Sequence, residues 1–283
     1  MGFLERLRET ALERKSIVCM GIDPRLEKIP VKGGTESRIT KFYFDILDGV
    51  VSEGRGVSAL KPNYAYFAQY GFEGLRALEK IMKRGSEHFL VILDAKRGDI
   101  GESSRAYAEE IFHFWNADAT TVSPYMGYDS VEPFLSHCPE GKGVYVLCRT
   151  SNKGSSDFQE WGEKERLYTK VSKKIIDWHT NGIGAVVGAT NIKELKEIAG
   201  AFNASSKQIP LLIPGVGAQG GSASDVSSAL SAINRDNIFI HRINSSGGIN
   251  YAYEKEKTDD YVGAAIREIR RLDKEIGLGG NTP

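Results

Sequence analysis

Short apolar, β-branched runs recur eight times along this chain, and that recurrence limits the fold more than any other feature. Strands are expected near residues 17–22, 57–60, 89–93, 119–122, 144–147, 185–187, 211–213 and 238–243. Between them lie stretches whose apolar residues repeat at helical spacing, clearest at 39–51, 75–82, 107–115, 167–178 and 262–272. The segment after the fourth run, 131–135, is only weakly marked. Eight strand–helix alternations in about 250 residues favour a closed (β/α)8 barrel over an open doubly wound sheet. Residues 151–157 and 218–231 are rich in Ser and Gly but short, so they read as loops of one domain. The expected organisation is a single barrel over residues 1–276, opened by a short amphipathic helix, with a disordered tail at 277–283.

Composition removes several function classes. The 283 residues carry 37 basic and 37 acidic side chains, a formal net charge of zero. General nucleic-acid or membrane-surface binders need an excess of Lys and Arg, so neither partner is expected. No apolar run approaches the roughly 20 residues of a membrane span, and the N-terminal stretch lacks the apolar core of a secretory signal. Cys19, Cys138 and Cys148 are odd in number and form no CxxC, which points to small core residues in a reducing compartment, the cytoplasm by default. The five histidines, His88, His113, His137, His179 and His241, show no metal-ligand spacing and read as surface or core residues.

Polar residues gather where the strands end. Asp23 closes the first, Lys61 the second, Asp94 and Lys96 the third, Ser123 the fourth, and Thr150 and Ser151 the fifth. In a (β/α)8 barrel the C-terminal strand ends and the loops after them build the active site. Asp94 and Lys96 are two apart, so on an extended chain they share a face, and Lys61 approaches from the neighbouring strand. Alternating charges in a small site keep one another ionised, and a lysine held in this way is a candidate general acid. Asp99 lies beyond the strand and is free to reach elsewhere. With Glu102 it also fits a capping pair for a helix starting near Ser103. After the seventh run comes Pro214-Gly215-Val216-Gly217-Ala218-Gln219-Gly220-Gly221. Four glycines in eight residues permit positive φ and close backbone approach, at the place where this fold commonly binds phosphate. GxSxG is absent, and the glycine spacing does not fit dinucleotide binding.

With these motifs in order, the chain resembles the orotidine 5'-monophosphate decarboxylases, in particular the subgroup marked by DAKRGDIG, KPN and PGVGAQGG. The likeness runs over residues 17–253 and includes Ser123-Pro124-Tyr125-Met126-Gly127 and Thr150-Ser151-Asn152. The resemblance implies decarboxylation of orotidine 5'-monophosphate to uridine 5'-monophosphate, without metal or organic cofactor, by a homodimer with shared sites. It implies that Asp23 and Lys61 hold ribose hydroxyls and that Asp94 lies against the substrate carboxylate. Lys96 would protonate C6, while Asp99 and Ile100 would enter the partner's site. Ser103 stands where the family usually has Thr. Ser151 would bond the pyrimidine, and Pro214, Gly215, Gly217, Gln219 and Gly220 belong to the loop closing over the phosphate. One departure concerns that phosphate. The family pattern after the eighth strand is approximately S-S-R-G-I, but this chain reads Ser245-Ser246-Gly247-Gly248-Ile249. Gly247 replaces a clamping Arg, and a bidentate contact goes with it. Whether Arg242, upstream on the strand, takes over depends on where its side chain points.

Two rival readings follow from the same residues. Metal-dependent relatives acting on a sugar phosphate such as 3-keto-gulonate 6-phosphate share a D-x-K-x-x-D run, but they carry an acidic ligand where this chain has Lys61. A non-catalytic nucleotide-binding barrel is suggested by Gly247 alone, and the intact Asp94–Lys96 pair argues against it.

Overall fold

The computed structural model describes residues 1–217 and 220–278. Eight parallel strands close into a barrel in sequential order. They are β1 (Val18–Ile22), β2 (Ala59–Pro62), β3 (Leu90–Arg97), β4 (Ala119–Val122), β5 (Gly143–Arg149), β6 (Ile183–Val187), β7 (Leu211–Ile213) and β8 (Arg242–Ser245). Closure is direct: Val18, Cys19 and Met20 of β1 pair with Ile243, Asn244 and Ser245 of β8. The helices are α1 (Phe3–Glu13), α2 (Thr35–Glu53), α3 (Tyr64–Ala68), α4 (Gly71–Ser86), α5 (Gly101–Glu109), α6 (Tyr128–Leu135), α7 (Leu167–Asp177), α8 (Ile192–Ala204), α9 (Ala223–Asn234), α10 (Gly247–Asn250), α11 (Ala252–Glu256) and α12 (Tyr261–Ile276).

Each outer helix buries one stripe. Helix α4 puts Ala77, Leu78, Ile81 and Met82 against the sheet, and α12 buries Ala265, Ile266, Ile269 and Leu272. Helix α1 has a different job and closes the barrel floor. Phe3, Leu4 and Leu7 pack onto the inward-facing Cys19, Ala59, Leu90, Ile92, Ala119, Tyr145, Val186 and Leu212. With the floor plugged, ligand access is confined to the opposite, C-terminal mouth.

Three expectations need correction. The last strand is not at 238–243: Arg235–Ile240 forms a 3-10 turn, and β8 begins at Arg242. Ile238 and Ile240 are buried there as turn residues, so their hydrophobicity reports burial and not strand. The stretch 218–231 is not all loop, because α9 occupies Ala223–Asn234. Val226, Ala229 and Leu230 are buried at helical spacing beneath its serines. The helix after β3 starts at Gly101 rather than Ser103. No described helix is long and apolar enough to cross a membrane. Residues 279–283 of the expected tail lie outside the described residues, while Gly277 caps α12 with a left-handed φ of 74°.

Candidate active site

The mouth holds a cavity of about 590 Å³. Of the residues singled out in the sequence, Asp23, Lys61, Asp94, Lys96, Ser151, Pro214, Gly215 and Gly247 line it. Asp99, Ile100, Ser103, Gly217 and Gly220 lie on the rim or outside the wall, and Gln219 lies outside the described residues.

The charged core is a lysine–aspartate–lysine bridge. Lys61 Nζ donates to Asp94 Oδ2 at 2.7 Å, and Lys96 Nζ donates to Asp94 Oδ1 at 2.6 Å. Thr121 Oγ1 also donates to Asp94 Oδ1, at 2.9 Å, so the carboxylate accepts three bonds. Asp94 and Lys61 are buried, whereas about half of the Lys96 side chain (48%) is open to solvent. Burial by itself pushes Asp94 up and Lys61 down. The Lys61 and Lys96 ammoniums overcome this and hold Asp94 well below the usual carboxylate range. Asp94 and Asp23 together hold Lys61 above the usual lysine range. Asp94's contribution to stability is complete above the ordinary carboxylate pKa and is lost as pH falls through its depressed value. Lys61's is complete below the ordinary ammonium pKa and is lost as pH rises through its raised value. Both groups therefore stay ionised at neutral pH.

The pairing of Asp94 with Lys96 does not arise as the sequence suggested. The chain is not extended there: Lys96 has φ 47°, in the left-handed region, and the β3–β4 register shifts between Leu93 and Arg97. The Lys96 amide donates to Thr121 Oγ1 at 3.0 Å, which anchors this turn. A bulky side chain at such φ costs on the order of 1–3 kcal/mol and persists where the surroundings over-determine it. Thr121 was not marked in the sequence, although it holds both the carboxylate and the turn. Arg97, inside the charged run, faces away. Its guanidinium donates to both Glu110 oxygens at 3.0 and 2.8 Å and lies between the Tyr64 and Tyr107 rings.

The remaining walls are polar and only partly satisfied. Asp23 lines the cavity, and its Oδ1 is buried with no hydrogen-bond partner among the described residues. Gln159 donates to Thr150 Oγ1 and accepts from the Thr150 amide, fixing the β5 end beside Ser151. Ser246, from the motif after the eighth strand, also lines the cavity, as do Arg25 and Tyr66, which no sequence motif announced. Asp99 Oδ1 accepts from the Ile100 amide at 2.8 Å, and Glu102 pairs with Arg105, so the alternative capping pair does not form.

The glycine-rich loop is shaped by its own amides. Gly217 N donates to Gly221 O, Gly220 N to Gly217 O, and Gly221 N to Gly215 O. Gly215 (φ 99°) and Gly217 (φ 79°) take conformations that exclude most side chains. These three amides, and the Asp225 amide capped by Ser222, are thus already bonded. Among the described residues of the loop, these amides are therefore not free for an anion. Arg242 does not compensate. It is wholly buried at the floor, donating to the carbonyls of Leu7, Phe239 and His241 and to Thr10 Oγ1.

Comparison with known proteins agrees with this geometry. Residues 16–258 match the model of the orotidine 5'-phosphate decarboxylase / HUMPS family. The chain belongs to that family. A protein of Janthinobacterium sp. (strain Marseille) named orotidine 5'-phosphate decarboxylase is 41% identical over 275 residues, 95% of each chain. One of the same name from Dehalococcoides mccartyi (strain ATCC BAA-2266 / KCTC 15142 / 195) is 36% identical over 276 residues, 95% of this chain and 96% of that one. The solved Leishmania donovani OMP decarboxylase superposes with a TM-score of 0.77 at 31% identity, covering 98% of this chain and 99% of that one. Within the family frame, Gly247 matters most. It begins α10, its φ is not in the left-handed region, and a Cβ there meets nothing within 4 Å. Neither backbone nor packing demands glycine at this position.

Proposed function

We propose that this chain decarboxylates orotidine 5'-monophosphate to uridine 5'-monophosphate, a step of pyrimidine synthesis, using only its own side chains. The single observation that carries the reading is the Lys61–Asp94–Lys96 bridge at the mouth of the cavity. The C6–carboxylate bond breaks, carbon dioxide leaves, and the electron pair stays on C6. The Lys96 ammonium beside that carbon stabilises the pair and then transfers its proton to it. Asp94, kept ionised by two lysines, disfavours the substrate carboxylate relative to departing neutral carbon dioxide. Asp23 and Lys61, both on the cavity wall, bind ribose hydroxyls. Ser151 bonds the base, and the loop at Pro214, Gly215, Gly217, Gln219 and Gly220 binds the phosphate. Binding energy from that remote phosphate drives closure. Spectroscopic assay of chelator-treated protein should show orotidine 5'-monophosphate consumed at an unchanged rate. Activity that collapses with EDTA and returns with magnesium would transfer the chain to the metal-dependent reading.

The working enzyme is a homodimer. Ile100 (55% exposed), Tyr125 and Met126 on the loops after β3 and β4, with Tyr128 at the start of α6, leave apolar surface on the side of Asp99. Such a patch is suited to a second copy, whose site would receive Asp99 and Ile100, with Ser103 nearby. Mixing Lys96→Ala with Asp99→Ala protomers, each inactive alone, should restore activity through one intact site per mixed dimer. Absence of recovery after demonstrated subunit exchange would contradict the shared site. The three buried thiols fit a cytoplasmic setting.

A further inference from the structure

Far from the mouth, two histidines and a glutamate converge on the outside of the barrel. Glu109 ends α5, and the chain continues into a π-helical turn, Glu110–Phe114, that carries His113. His137 follows α6 and leads toward β5. Helix α5 runs from the mouth back toward the floor, so this cluster sits on the half of the barrel where residues serve stability rather than catalysis.

The donor atoms of Glu109, His113 and His137 all lie within 4.8 Å of one another. The two Glu109 oxygens face different rings: Oε2 is 3.6 Å from His113 Nδ1, and Oε1 is 4.0 Å from His137 Nε2. Zinc bonds of about 2.0–2.1 Å in tetrahedral geometry separate adjacent donors by roughly 3.3–3.4 Å. Bringing these pairs to that spacing takes roughly 0.2–0.7 Å of closure and a rotation of the carboxylate that turns one oxygen to both rings. The Glu109 and His113 side chains, 63% and 52% exposed, are free to make the adjustment.

A second observation points the same way. His137 is mostly buried, and its other nitrogen, Nδ1, is 3.5 Å from Glu140 Oε2. Donation from Nδ1–H to Glu140 leaves the Nε2 lone pair directed toward Glu109. A carboxylate behind a histidine is how metal-ligating imidazoles are commonly oriented and made more basic. The Phe112 ring packs at 5.0 Å from His137 and limits its rotation. Nearby Lys142 directs its ammonium to the Ala117 carbonyl at 2.8 Å.

We propose that Glu109, His113 and His137 form a surface site for a borderline divalent ion of the zinc class, with Glu140 orienting His137. Two imidazoles and one carboxylate suit Zn²⁺ over Mg²⁺ or Ca²⁺, which prefer all-oxygen shells. The fourth position faces solvent and takes water. The ion ties the end of α5 to the α6–β5 connection, so it stabilises the barrel exterior without entering the reaction.

The test is calorimetric titration of metal-stripped protein with Zn²⁺, paired with thermal melts. The intact chain should bind one ion at this site and melt a few degrees higher in its presence. His113→Ala and Glu109→Gln, both at exposed positions, should abolish that binding event and the melting shift. Glu140→Ala, which removes no ligand, should weaken affinity roughly 10–100-fold. Turnover of the stripped protein should equal that of the loaded one. No saturable Zn²⁺ binding, or binding unchanged in His113→Ala and Glu109→Gln, would overturn the proposal.

Discussion

The two ends of this barrel bury charge in opposite ways. At the mouth, Lys61, Asp94 and Lys96 neutralise one another beside an open cavity. At the floor, Arg242 is wholly buried and is held by three carbonyls and a hydroxyl rather than by a carboxylate. Burial there lowers the Arg242 pKa to about 10. Its neighbour His241, driven down to about 3 first by burial and then by Arg242, accepts from the Leu211 amide as a neutral ring. The floor's charge is a fastener, with both terminal nitrogens bonded to α1 and the turn before β8, while its buried Nε has no partner among the described residues. The mouth's charges are kept ionised by one another while an exposed ammonium remains available to a substrate. Burial of a charge is therefore not a mark of function; what matters is whether the group retains unspent capacity next to open space.

The comparison breaks first at Asp94 and Arg242. Asp94→Asn leaves buried Lys61 without its bonded counter-charge, with only the charge of Asp23 to offset it, and breaking a buried pair in this way costs about 3–5 kcal/mol. It should lower stability by that order and remove turnover as well. Arg242→Met removes the guanidinium bonds to the Phe239 and His241 carbonyls, at about 1–3 kcal/mol for a buried group left unpaired, while the Leu7 carbonyl still accepts from Thr10 Oγ1. Its melt should drop while turnover per folded molecule stays unchanged. Chemical denaturation and steady-state assays of both variants separate the two patterns. Equal loss of turnover in both would erase the distinction between the ends.

A smaller effect sharpens the contrast. Arg242 is committed to the floor and so does not supply the phosphate clamp that the resemblance would place at Gly247. Hydrogen bonds to a charged group contribute about 1.5–3 kcal/mol, so Gly247→Arg should lower KM for orotidine 5'-monophosphate roughly ten- to a hundredfold. The open space and ordinary φ at Gly247 mean that the variant should melt like the parent. The phosphate-free nucleoside should gain far less. Parallel changes on both substrates would show that the new side chain does not reach the phosphate.

Strand positions were legible wherever burial and extension coincide. Residues 119–122 and 211–213 are strands with the expected bounds, because β-branched and aliphatic side chains there serve both demands. They part company at Ile238 and Ile240, which bury themselves in a turn under the floor, and in α9, where serines hide an apolar stripe. At the mouth, the charged residues were readable from strand ends alone. The left-handed turn at Lys96 and the bond from Thr121 were not, because a backbone bulge leaves no compositional signature. Arg97 carried a motif letter but faces the Tyr64 and Tyr107 rings. His113 and His137, 24 positions apart, become neighbours only when α5 and α6 pack.

The central claim is that the mouth network performs the chemistry and that Lys96 delivers the proton. Lys96→Ala tests it most directly, because this half-exposed side chain can be removed without leaving a buried orphan: Asp94 keeps its bonds from Lys61 and Thr121. Decarboxylation should be followed by ultraviolet absorbance beside the parent protein, with a thermal melt of each. The account predicts at least a roughly thousandfold loss of turnover, the combined scale of proton donation and electrostatic stabilisation, with the fold retained. A folded Lys96→Ala protein that turns over within a factor of about ten of the parent, a difference of only about 1.4 kcal/mol in the barrier, would contradict it.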